Sequence, residues 1–245
     1  MQVMFGAGQM FGTRTDIAGA TPTRLGALQD IAIDFSKELK ELYGQGQVAI
    51  VLAAAKLKIT GKAKFALLNG KSLNDLFFGQ SVSSGQVATA TAEAAIVPAV
   101  TPFTVTAANG ASFSADLGVV YVATGLPLVR VASGPTLGQY AVSGAGLYGF
   151  SAADADAAIL LSYTYGMAGS GTSIALTNQL MGTTPLFSLV LTEPFQGRQV
   201  NLTLNACVSQ KLSFATKIDD FTIPEFDFAA RADAAGNVGT LSFAE

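Results

Sequence analysis

The chain of 245 residues is 50% hydrophobic and only 13% charged, with a formal net charge of -3 and a pI near 5.0. It has no histidine and one cysteine, Cys207, which excludes histidine-based catalysis, histidine metal ligation and an intramolecular disulfide framework. The acidic balance argues against a basic nucleic-acid grip, and no apolar run approaches the roughly 20 residues of a membrane helix.

Ordinary globular chains carry about 25% charged residues, and the cores of subunit interfaces are depleted of charge. The composition therefore favours a surface largely covered by other subunits over an Ala- and Gly-rich monomer with an ordinary core. The first residues carry no basic stretch followed by an apolar core, so synthesis in a reducing cytoplasm is expected.

The glycine-rich segment from Met1 to Gly26 reads as an arm bearing Met4, Phe5, Met10 and Phe11. Either these residues dock on a neighbour or the arm folds back on its own core. Leu28 to Ser36 alternates apolar Ile31, Ile33 and Phe35 with Asp30, Ala32 and Asp34, the period of a half-buried strand. A region from Lys37 to Gln47, including Leu42 and Tyr43, leads through Gly44-Gln-Gly46 to the apolar run Val48 to Leu52.

A second alternation follows. Lys56, Lys58, Thr60, Lys62 and Lys64 take one face and Leu57, Ile59, Ala63 and Phe65 the other. Gly61 breaks the apolar face and predicts a bulge or a close approach. Ser72 to Phe78 reads as the one short helix, capped by Ser72 with Asp75, stopped by Gly79, with Leu73, Leu76 and Phe77 facing the sheet.

Val82 to Thr91 reads as extended. From Pro98 to Gly166 the only charged residues are Asp116, Arg130, Asp154 and Asp156, and short β-like runs alternate with turns. This predicts an inserted β-sandwich-like module over 93–168, within a discontinuous main domain of 1–92 and 169–245. Strands resume at Leu186–Leu191, Val200–Leu212 and Phe226–Arg231, and Ala234-Ala-Gly-Asn237 predicts a closing hairpin with Val238–Phe243. The expected fold is mainly β.

Few groupings suggest chemistry. Gly144-Ala-Gly-Leu-Tyr-Gly149 matches a dinucleotide fingerprint in form, but no long helix follows and no acid stands about 20 residues on, so a turn is expected. The carboxylate pairs Asp154/Asp156, Asp219/Asp220 and Glu225/Asp227 read as surface charge, with Asp154 starting a helical turn after Ser151. Cys207 reads as a small buried apolar residue. No catalytic, cofactor-binding or metal-binding residue is expected.

Several stretches resemble the major tail tube proteins of long-tailed bacteriophages. They are Leu28-Gln-Asp-Ile-Ala-Ile-Asp-Phe-Ser36 with Lys40-Glu-Leu-Tyr-Gly-Gln45, Lys58-Ile-Thr-Gly-Lys-Ala-Lys64 leading into the short helix, and Phe228-Ala-Ala-Arg-Ala-Asp-Ala-Ala-Gly-Asn-Val-Gly-Thr-Leu241. The run from Gln139 to Tyr165 is similar to modules inserted in phage structural proteins. Together these cover about half of the chain.

The resemblance implies a tail-tube-type β-sandwich or barrel with a flanking helix. It implies hexameric rings whose sheets join into an inner barrel, stacked around a tape-measure protein, with tail terminator and tail-tip proteins as further partners. The implied product is a virion component through which DNA passes into the host cell, with no cofactor and no membrane insertion. The insertion departs from the simplest tube proteins.

A lysine row could bind phosphates, but a lysine-lined bore would hold DNA by counterion release. The lysines are therefore expected outward or in salt-bridged interfaces, with Asp30, Asp34, Glu225 and Asp227 facing the lumen. Met4, Phe5, Met10, Phe11, Leu42 and Tyr43 are the expected contacts between subunits. The rival readings are another tail component (terminator, decoration or tip protein) and a carbohydrate-binding β-module using Tyr121, Tyr140, Tyr148, Tyr163 and Tyr165.

Overall fold

The structure, a computed structural model, describes residues 4–67 and 69–244; Met1 to Val3, at the start of the expected arm, lie outside the described residues. The strands in chain order are β1 (Gln9–Arg14), β2 (Thr23–Arg24), β3 (Ala27–Tyr43), β4 (Ala49–Leu67), β5 (Val82–Ile96), β6 (Thr104–Thr106), β7 (Phe113–Tyr121), β8 (Val129–Arg130), β9 (Gln139–Val142), β10 (Leu147–Phe150), β11 (Ala158–Ile174), β12 (Phe187–Phe195), β13 (Arg198–Ser213), β14 (Glu225–Arg231) and β15 (Gly239–Phe243). One short helix, α1 (Gly70–Leu73), runs directly into a wider π-turn over Asn74–Phe78. The fold is mainly β. The chain divides into one unit of 1–82 and 174–245 and a second of 83–173. The insertion so defined begins ten residues before, and ends five residues after, the expected 93–168.

The first unit is an eight-stranded sheet in the order β2-β1-β12-β13-β14-β4-β3, with β15 also paired to β13. Its core gathers Met10, Leu25, Phe65, Leu76, Phe187, Leu189, Leu204 and Phe228, all buried. The short helix packs on part of this face, with Leu73, Leu76 and Phe77 beside Phe65, Leu212 and Phe226. Leu76 is buried there, and Ser209 Oγ donates to the Leu76 carbonyl.

Three local expectations are corrected. The helix cap is Asn69, not Ser72: Asn69 Oδ1 accepts from the Ser72 N–H at 2.7 Å, and Ser72 is itself buried inside the turn. Asp75 instead pairs with Lys71 one turn back at 2.8 Å. Gly79 does stop the helix, in the left-handed conformation (φ 61°) with its N–H on the Asn74 carbonyl.

Met10, expected at a subunit contact, is 1% exposed and packs in its own core. β1 pairs along β12 from Gln9↔Thr192 to Arg14↔Phe187, and that register turns Met10 inward beside Leu191.

The closing hairpin does not form. Both edges of β14 are occupied, one by β13 and the other by β4. β15 therefore pairs with the first half of β13, Val200↔Phe243 to Leu204↔Gly239, in line with β14. Asp233 organises the link, its Oδ1 accepting from the Ala235 and Asn237 N–H groups at 2.9 and 2.8 Å.

The second unit has a three-stranded sheet, β5-β11-β7, and a four-stranded sheet, β6-β10-β9-β8, around one core that includes Val119, Tyr140, Tyr148, Ile159, Leu161 and Tyr163. The fingerprint-like Gly144–Gly149 falls on the turn between β9 and β10 and on β10 itself. Among the described residues, no helix is long and apolar enough to cross a membrane.

Candidate assembly surfaces

Register decides which charges share a face. Asp30 stands opposite Lys64, Ala32 opposite Lys62, Asp34 opposite Thr60 and Ser36 opposite Lys58. On the other side of β4, Glu225 stands opposite Lys64 and Asp227 opposite Lys62. One strand further, Lys211 stands opposite Asp227. Directly opposed residues project to the same face of a sheet.

The four expected lumen acids and the lysines thus lie together on the polar side of one sheet. The acids and lysines are not separated onto opposite faces; of the two expected placements of the lysines, outward or salt-bridged in interfaces, Lys62 and Lys64 are salt-bridged, within one chain. The face carries Asp30, Asp34, Glu225 and Asp227 together with Lys58, Lys62, Lys64 and Lys211, and strand alternation adds Arg231 at the end of β14.

These charges are interlocked. Lys62 Nζ lies 2.9 Å from Glu225 Oε2, and Lys64 Nζ lies 3.4 Å from Asp30 and 3.9 Å from Glu225. Hydrogen bonding to Lys62, then the charges of Lys62, Lys64 and Lys211, holds the Glu225 carboxyl below its usual range. The same contact, then the Glu225 charge, raises Lys62.

The second surface is the outer half of the β3–β4 hairpin. Beyond Ile33 and Ile59 the two strands leave the core, and every residue from 34 to 58 except Ala49 is exposed. Apolar side chains occupy both faces of this ribbon. Leu39–Ala54 and Glu41–Leu52 pair on one face, Lys40–Ala53 and Leu42–Val51 on the other. Leu42 is 62% and Tyr43 54% exposed. The sequence separated this element into Leu28–Ser36, Val48–Leu52 and Lys56–Phe65, and the charged pair Glu38/Lys40 concealed its continuity.

In the arm, Met4 and Phe5 are exposed and the Phe5 ring lies 5.8 Å from that of Phe195. Phe11 is half-buried, opposite Val190 on the sheet face away from Met10.

The tyrosines of the second unit form no exposed platform. Tyr140, Tyr148 and Tyr163 are buried. Each hydroxyl reaches a carboxylate: Tyr140 and Tyr148 donate to Asp116 at 2.7 and 3.0 Å, Tyr163 to Glu93 at 2.5 Å, and Tyr121 to Asp154. Burial foremost, then the Asp154 hydrogen bond, pushes Tyr121 up to about 12. Sequence reading missed this network, although an almost uncharged segment that retains isolated acids among tyrosines is its signature.

The carboxylate pairs have different surroundings, and Asp220 and Glu225 line one open pocket with Lys64 and Lys217. Asp154 is buried against Tyr121 while Asp156, at φ 62°, is exposed. Asp154 does belong to a short helical turn in which Ser151 Oγ accepts from the Ala153 N–H at 3.2 Å. Asp220 accepts from the Phe221 N–H at 2.8 Å. Cys207 is fully buried, and burial pushes its thiol up to about 12. No family model matches the chain, and no curated protein sequence matches it.

Proposed function

We infer that the chain is a structural subunit of a bacteriophage tail tube, without catalytic activity, whose copies join into rings that stack into a hollow conduit for DNA. The observation that carries this reading is the exposed β3–β4 ribbon. A two-stranded ribbon is marginal in water by itself, and this one presents apolar side chains on both faces with nothing from its own unit over them. A second copy is the covering it fits.

Open edges point the same way. Among the described residues, the outer edge of β3, the edge of β4 beyond Ile59 and the outer edge of β15 have no strand partner. Unpaired edges of this length template further pairing, and closing a ring of sheets removes them. Stacking of unlike surfaces then gives an open filament. The apolar side packs into the unit's own core, partly under the helix, so each sheet has its polar, mixed-charge face left for the bore. Six copies per ring, the tape-measure, terminator and tip partners, and the place in the virion come from the resemblance.

Negative-stain electron microscopy of the purified full-length protein tests the reading. Hollow tubes or closed rings are expected. A chain that remains monomeric at high concentration overturns it.

A further inference from the structure

The polar face of the first unit raises a question that assembly alone does not answer. A row of lysines on one strand is a ready phosphate ligand, and three of them here, Lys58, Lys62 and Lys64, project from β4 on a single face. The strands on both sides place acids against that row. β14 sets Glu225 beside Lys64 and Asp227 beside Lys62, and β3 sets Asp30 on the far side of Lys64. β13 adds Lys211 beyond Asp227. Read across the strands, the signs alternate: Ser213, Glu225, Lys64, Asp30 in one row and Lys211, Asp227, Lys62, Ala32 in the next.

The contacts make this more than proximity. Lys62 and Lys64 both reach Glu225, and Lys64 also reaches Asp30. Asp227 Oδ1 is sheltered on this face without a hydrogen bond, between the strands that carry Lys62 and Lys211. A phosphate approaching Lys62 or Lys64 must displace a carboxylate already in place, and it meets the repulsion of the neighbouring acids.

We propose that Glu225, Asp227 and Asp30 act as an electrostatic guard that keeps Lys62 and Lys64 from binding polyanions, so that this part of the face is non-adhesive to nucleic acid. The proposal rests on the conduit reading for its purpose, not for its physics, because the guard operates within a single copy. Lys62 and Lys64 remain useful as cross-strand partners of the acids. Removing the acids unmasks a phosphate-binding row.

The test uses the full-length chain and a fluorescein-labelled DNA duplex of about 30 base pairs, followed by anisotropy between about 50 and 200 mM salt. The wild-type protein is expected to bind weakly and with little salt dependence. Glu225→Gln/Asp227→Asn is expected to bind at least about tenfold more tightly. Its log–log salt slope steepens by about 0.9 for each lysine engaged, about 2.7 for Lys62, Lys64 and Lys211 together. Adding Lys62→Gln and Lys64→Gln to that variant returns binding to the wild-type level.

Should the first variant fail to fold, Asp30→Asn/Asp34→Asn, which alters only exposed carboxylates, is expected to move binding in the same direction by a smaller factor. Folded variants that bind no better than wild type, or a wild-type protein that already binds with a steep salt slope, overturn the guard. Microscopy of the same wild-type sample keeps the two readings apart. Missing tubes remove the conduit, while the variants still decide what the acids do.

Discussion

The ring of Phe228 lies flat against the backbone of Gly61: a Cβ at position 61 would stand 2.2 Å from Phe228 Cζ. The two residues are directly opposed on β14 and β4, and Phe228 is fully buried. Gly61→Ala is therefore expected to drive the ring off its seat and destabilise the first unit by about 1–3 kcal/mol, the usual cost of overpacking. Urea unfolding measures it. In a Phe228→Ala background the glycine substitution should cost almost nothing, since the clash is gone. An equal penalty in both backgrounds would place the strain elsewhere.

Gly61 also shows what was legible. A glycine interrupting a clean alternation announces either a bulge or a close approach, and the strand period alone selected the right element and face. The stop at Gly79 was readable for the same reason, because the backbone requirement is local. Cross-strand facts were not. Alternation says that Lys62 and Lys64 share a face and that Glu225 and Asp227 share a face, but only register says that both faces are the same one. Met10 misled because an apolar side chain in a glycine-rich arm looks identical whether its own core or a neighbour receives it. β15 misled because occupancy of both β14 edges is a property of the whole sheet.

The buried tyrosines give the second unit an alkaline limit. Burial first, with Asp154 next, raises Tyr121 to about 12, and burial with Asp116 raises Tyr140 and Tyr148 further. A group whose folded pKa is raised lends stability that is complete below its unfolded pKa, near 10 for tyrosine, and lost as pH rises toward the folded value. Between those limits each tyrosine is expected to cost about 1.4 kcal/mol per pH unit. The chain has no tryptophan, and all of its six tyrosines except Tyr43 lie in 83–173, so tyrosine fluorescence reports that unit. Its urea midpoint should be flat from pH 8 to pH 9.5 and fall above pH 10, more gently in Tyr148→Phe. A pH-independent midpoint up to 11.5 would contradict the burial of these hydroxyls.

The sequence points to Ser72 as the helix cap and the structure places Asn69 there, and their substitutions separate the roles. Asn69→Ala removes the 2.7 Å acceptor of the Ser72 N–H and is expected to cost about 1 kcal/mol. Ser72 donates its backbone N–H to that cap, and its own buried Oγ makes no hydrogen bond. Ser72→Ala is therefore expected to be neutral or slightly stabilising, because replacing an unsatisfied buried hydroxyl with a methyl removes a desolvation cost. Thermal unfolding of the two variants decides the assignment, and the reverse order would restore Ser72 as the cap.

The ribbon prediction separates folding from assembly. Leu42 and Val51 are opposed, exposed, and outside the core of their unit. Surface substitutions away from structural features usually change stability by less than about 0.5 kcal/mol, so Leu42→Asp/Val51→Asp should leave the thermal unfolding of the single copy nearly unchanged. The same change buries two carboxylates if another copy covers the ribbon, and unpaired buried charge is strongly disfavoured. Sedimentation velocity should then show monomers where the wild type shows large assemblies. Tubes that still form from this variant would mean that the ribbon faces solvent in the assembled state, and that the open edges of β3 and β15 alone hold the copies together.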